Sequence, residues 1–416
     1  MKLPHWSNVA IFSTFGAVNA LLLFLNNVML TRMLSKASYG EIGIATSYMI
    51  VVMALVTANA LGLVGIRHSQ LDETQFGRFN AAYISTLQLG TLLLLALSWF
   101  LSFFVHGIGW LTLIIPVYAY FVSLNDYHSA IMVQKANAIC FGVAAFISRS
   151  VALAAIYVCI RLGRGGVEGY FLGMAIGEAA STLYRRRTHE LFGVWLFARP
   201  ALSIGAEERG IILYGASLLP LLFLGWASNG VDRLVIGSKL GLEAVAVYSF
   251  GMVMAQSINV VNSAVTNTVT ARIYTKLSLK VPVKNYFEKC LLAYLVLISI
   301  LLLVFDRLAM GLIHAFIGDR YDKSASIATI LVFSVLLNGL YRISITVTDY
   351  YERVFNKTIL NSISVAITLS SLFLFTTSGG LAAVAWSVAA GNAAMAVGAY
   401  YLAMRHIAHA YAPGAA

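Results

Sequence analysis

Arg149 stands in the middle of the apolar run Ile139 to Ile160, where a cation costs about 2.5–3.5 kcal/mol on insertion scales unless it faces protein or water. Its planar guanidinium can form paired bonds to phosphate or carboxylate oxygens. Two readings follow: contact with a phosphate-bearing ligand, or a structural ion pair with Asp126 or Glu178, which fall at similar depth in neighbouring apolar runs. Asp126, His128 and Glu178 have chemistry of their own. Titratable groups inside a membrane relay protons or bind cations such as H+ or Na+, and interhelical hydrogen bonding is the plainer alternative.

Two polar stripes add candidates. Gln256, Asn259 and Ser263 are spaced i, i+3, i+7, so they share one helical face in an otherwise apolar segment. Asn19 and Asn26, seven apart, make a similar stripe. Amides offer donor and acceptor together, which suits sugar hydroxyls, and polar adhesion between helices is the competing reading. Arg342 joins the candidate ligand-binding cations, although it stands close enough to the end of its apolar run to snorkel to the surface. The run Arg185 to Arg187 reads as an orientation signal. His406 and His409 lack nearby Cys or carboxylate ligands, and no HExxH, P-loop, GxGxxG or GxSxG stands in a plausible setting. No catalytic constellation, metal site or cofactor site emerges, and an enzyme is not the expected class.

The elements that must position these residues are membrane helices. The 416 residues are 60% hydrophobic and 11% charged, with mean hydropathy +0.82, whereas soluble domains carry roughly 25% charged residues. A span takes about 20 apolar residues, so the chain accommodates about a dozen with short connections. The expected spans are Val9 to Thr31, Ile42 to Ile66, Ala81 to Val105, Trp110 to Val133, Ile139 to Ile160 and Tyr170 to Tyr184. Six more run Ile211 to Gly230, Ala244 to Thr266, Leu291 to Phe305, Ser324 to Val347, Ile359 to Thr376 and Leu381 to Met404. The first is too long for a signal-peptide h-region and lacks a small-x-small cleavage site, so it reads as a permanent span. Cys140, Cys159 and Cys290 show no CxxC spacing and suggest neither disulfides nor zinc.

Orientation follows from the cations. With the N-terminus inside, about 17 of the 28 basic residues fall in cytoplasmic loops, among them Lys2, Arg199, Lys280 and Arg353, and roughly nine outside, Arg164 included. Both termini are then cytoplasmic. The longest connection, Arg185 to Gly210, is cytoplasmic and near the middle of the chain, where proteins built of two lobes carry their linker. The expected organisation is therefore a six-helix lobe over 1–187, a linker over 188–210 and a second six-helix lobe over 211–416. The net charge of +11 is spread between apolar runs, which argues against a nucleic-acid groove and for anionic lipid headgroups and an anionic ligand.

Two junctions carry a family resemblance. Gly230-Val-Asp-Arg-Leu-Val-Ile-Gly-Ser-Lys-Leu-Gly-Leu-Glu-Ala-Val-Ala-Val-Tyr248-Ser resembles the segment after the seventh span of bacterial polysaccharide exporters of the Wzx/PST type, in the MOP exporter superfamily. Arg32-Met-Leu-Ser-Lys-Ala-Ser-Tyr-Gly40 is similar to their turn after the first span. Ala246 stands where that family usually has Gly. The segments Leu34 to Gly40 and Leu240 to Ala246 also align weakly with each other, placing Asn26 opposite Asp232, as duplicated lobes would.

The resemblance implies an all-α integral membrane protein of about twelve spans in two MATE-like six-helix lobes, with the first, second, seventh and eighth spans lining an alternating cleft. It implies movement of a polyprenyl-pyrophosphate-linked saccharide across the bacterial inner membrane, alongside other polysaccharide-assembly proteins. Tyr39, Gly40, Asp232, Arg233, Gly241 and Tyr248 are the motif positions, with a structural role favoured. A cation-coupled multidrug exporter of the MATE branch is the first alternative. A glycan polymerase or ligase is the second, and the longest outer connection, roughly Asp306 to Lys323, is short for one.

Overall fold

The computed structural model describes residues 5–102, 111–135, 137–163, 165–188, 205–279, 281–351 and 354–410. Lys2, Arg164, Arg199, Lys280 and Arg353, and most of the 188–210 connection, lie outside these residues. The described chain is helical, in two compact units, Met1–Trp226 and Ala227–Ala416.

The first unit holds α1 (His5–Met33), α2 (Lys36–Val56), α3 (Leu61–Gln70), α4 (Glu73–Ser102), α5 (Leu111–Gln134), α6 (Ala138–Arg161), α7 (Val167–Thr188), α8 (Ala206–Ser217) and α9 (Leu219–Asn229), whose last three residues cross into the second unit. The second holds α10 (Val231–Leu240), α11 (Leu242–Ser257), α12 (Asn259–Ser278), α13 (Lys284–Phe316), a 3-10 turn at Asp319–Tyr321, α14 (Lys323–Tyr350) and α15 (Val354–Ala410). Among the described residues seven helices are each long and apolar enough to cross a membrane, and the bent pair α8 and α9 makes an eighth. The protein is a multi-pass α-helical membrane protein.

Local chemistry sets the helix starts. Ser35 accepts the Ser38 amide at 3.1 Å ahead of α2, Asp72 accepts the Gln75 amide at 2.7 Å ahead of α4, and Asn137 accepts the Cys140 amide at 3.2 Å ahead of α6. Each side chain satisfies an N–H that has no partner within the helix.

Three expected spans are interrupted. The second, expected to run unbroken from Ile42 to Ile66, stops at Val56 and resumes at Leu61, with Ala58 at φ 47 and Asn59 at φ 53. The seventh bends by 48° between α8 and α9, where Pro220 lacks the N–H that would continue the ladder. The eighth breaks at Ile258. Conversely, the last two expected spans run together as α15 and part only at Gly380, whose φ of 59 requires glycine.

In the first unit, Gly173 and Gly177 bring α7 onto α6. Side chains at these positions would overlap Ile156, Ser148 and Ala152, the close approach that a small-xxx-small spacing permits.

Candidate functional site

α1 packs along α6, and helical register puts Arg149 close to the α6 face of that seam. The anchor of that seam is Phe15 of α1, whose ring occupies the space beside Gly142. Arg149 is seven residues beyond Gly142, about 20° round the helix, and Asn19 and Asn26 fall about 40° and 20° round from Phe15. Three passes, α2 with α3, α4 and α5, lie between α1 and α6, so these two helices run in the same direction, and from the Phe15–Gly142 contact helical register sets Arg149 at a level between those of the two asparagines. Thr14, Ala17, Leu21 and Leu25, on another α1 face, are exposed.

Arg149 is half-buried. It lies within electrostatic reach of Asp126 and Tyr118 but makes no hydrogen bond or ion pair with any described residue. The expected direct pairing with Asp126 or Glu178 is not formed in this structure. Asn26 is 7% exposed, and the buried Oδ1 atoms of Asn19 and Asn26 accept no hydrogen bond. By helical register this seam carries a guanidinium and two amide oxygens that have no hydrogen-bond partner among the described residues.

Glu178 belongs to a different network. One carboxylate oxygen accepts from Asn125 Nδ2 at 2.6 Å, the other from Ser148 Oγ at 2.8 Å. Thr182 donates to the Asn125 side-chain oxygen at 3.1 Å. Arg185 extends the chain, donating to the Asn125 carbonyl at 3.2 Å and to Ser129 Oγ at 3.0 Å. It is 3% exposed, and its Nε has no hydrogen-bond partner. Of the arginine run only Arg186 and Arg187 face outward. Glu178, Thr182 and Arg185 follow at i, i+4, i+7, one helical face, and the close α6–α7 approach delivers Ser148 to that face. Asp126 is half-buried, makes no hydrogen bond among the described residues, and feels Glu178, Arg185 and Arg149. His128 is buried beside the Tyr127 ring, 5.5 Å between centroids.

In the second unit the expected stripe spans the break at Ile258. Gln256, at the end of α11, is exposed, while Asn259 and Ser263, on α12, are half-buried. Asn262, unremarked in the spacing, is the buried centre: it donates to Asn259 at 3.3 Å and to the Val335 carbonyl at 3.1 Å, and accepts from Tyr294. Arg342 is exposed on α14. A small hydrophilic thiol reagent is expected to modify single Cys replacements at 256, 259 and 263 but not at Ala255, which is fully buried. The reverse pattern would place the stripe inside the packing.

At the turn between α13 and α14, His314 contacts Asp319 at 3.0 Å and Asp322 at 3.6 Å through its two ring nitrogens. These three residues form the one group among the described residues with metal-ligand spacing, and an imidazole held between two carboxylates accounts for it. Tyr321 anchors the turn, packed on Phe250, and burial pushes its phenol up to about 12.

No family model matches the sequence, and no curated protein matches it. Solved structures do. The lipid II flippase MurJ, inward closed, superposes with a TM-score of 0.68 at 14% identity over 96% of this chain and 90% of that one. A MOP superfamily transporter from Pyrococcus furiosus gives 0.62 at 15% identity over 98% and 96%. An inward-facing multidrug resistance MATE family transporter gives 0.60 at 14% identity over 96% of both chains. The chain has the MOP superfamily fold.

Within this MOP fold the motif positions form two helix corners. Asp232 is 2% exposed and accepts the Tyr248 hydroxyl at 2.6 Å and the Arg233 amide at 2.8 Å. Gly241, at φ 86, makes the turn between α10 and α11. At the first corner, buried Tyr39, beside buried Gly40, donates to Asn27 at 2.7 Å. Each corner tyrosine ties its helix to a polar side chain of the preceding one.

Proposed function

We propose that this chain is a transporter, not an enzyme, and that it moves an isoprenoid-pyrophosphate-linked oligosaccharide from the cytoplasmic to the outer leaflet of a bacterial inner membrane. The observation that carries the reading is Arg149: a mid-span guanidinium, half-buried, with no hydrogen bond or ion pair to the described residues. Such a group inside a bilayer is costly, and its fork matches a phosphate. Asn19 and Asn26 leave acceptors on either side for saccharide hydroxyls, while the polyprenyl tail stays in lipid. The solved lipid II flippase with this fold supports the substrate class.

Asp126, which no cation among the described residues pairs directly, favours a second reading, a cation-coupled multidrug exporter, for which the solved MATE transporters of this fold are precedent. The experiment that separates them reconstitutes the purified protein in vesicles with a fluorescent polyprenyl-pyrophosphate saccharide. Leaflet transfer is read by access of an impermeant lectin. Transfer without covalent change supports the flippase. Export of cationic dyes alone transfers the assignment to the multidrug branch, and new glycosidic bonds transfer it to an enzyme.

The same reading places both termini and the 188–210 connection in the cytoplasm. A Cys introduced at Ala206, exposed at the start of α8, is expected to resist an impermeant maleimide in intact cells and to react after permeabilisation. Labelling in intact cells would reverse the topology.

A further inference from the structure

The interruptions of the second and seventh spans meet each other. Ala58 and Asn59 hold left-handed backbone at φ 47 and 53. Asn tolerates that region, but Ala does not adopt it without cost, and such residues persist where the surroundings over-determine them and often where a conformational step resides. Ala58 is held from two sides: the Ala58 and Asn59 amides close the end of α2 on the Leu55 and Ala54 carbonyls at 3.4 and 2.7 Å, and a second contact lies across from it. The Ala58 carbonyl oxygen fills the space that a Cβ of Gly215 would need, three residues ahead of the α8–α9 break at Leu218. Asn59 Nδ2 reaches the Gly215 carbonyl at 3.5 Å, the long limit of a hydrogen bond. On either side, Trp226 donates to the Ser47 carbonyl at 3.0 Å, and the Tyr214 hydroxyl lies 3.8 Å from a Cβ position at Gly62. The contacts of 47 with 226 and of 58 with 215 are eleven residues apart on both segments, so the two approach each other in antiparallel order. Gly90 of α4 backs the joint, since a side chain there would press on the Val56 and Leu55 carbonyls.

We propose that these paired breaks form a catch: the Ala58 carbonyl seated at Gly215 holds α8 and α9 in their bent arrangement, and its release is an obligatory step of transport. Three features of the joint suit it to that role. Pro220 leaves the seventh span without a continuous ladder and so free to change its bend. The second span carries no proline at its break and ends in a local cap, Asn59 N–H bonding the Ala54 carbonyl at 2.7 Å and Ala58 N–H the Leu55 carbonyl at 3.4 Å, from which the left-handed Ala58 presents its own carbonyl to Gly215. Finally, the connection between them is a single carbonyl in a glycine notch with one long hydrogen bond, a contact that can be vacated without unpairing a buried charge. Broken helices in transporters are where rigid parts hinge.

The inference rests on the transporter reading, and the test keeps the two apart. In a chain with Cys140, Cys159 and Cys290 replaced by Ala, Gly62→Cys and Tyr214→Cys are joined by a short bismaleimide carrying a cleavable disulfide. Crosslinking is expected to abolish leaflet transfer and reduction to restore it. Crosslinked protein that transfers at the uncrosslinked rate overturns the catch, whereas loss of transfer in the uncrosslinked parent counts against the flippase and not the catch. Hydrogen exchange gives a readout independent of cargo. In Gly215→Ala the amides of residues 57–60 should exchange roughly tenfold faster than in the parent, with Leu63 and Val64 unchanged, and Ala58→Gly, which removes the backbone cost, should slow them. Equal exchange in all three proteins overturns the proposal.

Discussion

Arg185→Ala should lower the melting temperature and the yield of folded, inserted protein more than any other charge removal in the first unit. The side chain is sealed from solvent and makes two charged hydrogen bonds, to the Asn125 carbonyl and to Ser129 Oγ. Each such bond is worth about 1.5–3 kcal/mol. Truncation also leaves Glu178, a buried carboxylate, without its nearest cationic neighbour on α7, and buried charges become expensive when their compensation is taken away. A loss on the order of 3 kcal/mol is expected, allowing for non-additivity within one network. Arg186→Ala and Arg187→Ala, whose side chains face outward, should stay within about 0.5 kcal/mol of the parent. Arg185→Lys should recover part of the loss, because one ammonium cannot reproduce the fork that spans α5. Thermal unfolding of the purified proteins in a single detergent decides the matter. If all three alanine variants melt together, the network around Asn125 contributes no stability and Arg185 is merely buried.

That expectation was within reach of the sequence. Three arginines in a row read as a single cytoplasmic signal, yet successive residues on a helix point about 100° apart, so one of three must turn inward where the helix is packed on both sides. The spacing Glu178, Thr182, Arg185 named the face, and Gly173-xxx-Gly177 named the neighbour. What sequence could not supply is the partner helix, and hence that Asn125, rather than Arg149, meets Glu178. The apolar runs were legible because burial of backbone polar groups in lipid leaves helices as the main option. Their interruptions were less so. Pro220 announces one, but the break at Thr57 to Ala60 has neither proline nor glycine: it is a helix cap with Ala58 in the left-handed position that glycine usually takes, so the residue types do not mark it. The stripe of Gln256, Asn259 and Ser263 assumed an unbroken helix. The break at Ile258 divides it, and Asn262, one position off that spacing, takes the buried place beside Tyr294.

Arg149→Ala is expected to abolish leaflet transfer while the protein inserts and folds normally. Among the described residues the guanidinium has no hydrogen-bond or ion-pair partner, so its removal strands no buried acceptor there and the stability cost should stay small, in contrast to Arg185. Transfer should fall by far more, since a charge-assisted contact to phosphate contributes about 2–3 kcal/mol, a factor of roughly 30 to 150 in affinity for the headgroup. Arg149→Lys should restore part of the activity, because an ammonium supplies the charge without the bidentate geometry. Asn26→Ala should weaken transfer of a saccharide-bearing carrier more than that of the bare polyprenyl pyrophosphate, as its free oxygen can accept only from a hydroxyl or amide. A structural role for the arginine makes different demands. If Arg149 serves to balance Asp126, which it feels without touching, replacing Arg149 and Asp126 together by apolar residues of similar size should return both folding and transport. Glu178 is left in place in that experiment, because Asn125 and Ser148 hold it independently and its loss would disturb α6 and α7 for unrelated reasons. A transporting double variant would eliminate Arg149 as the phosphate anchor, whereas a folded double variant that binds and moves no carrier is the result the anchor requires.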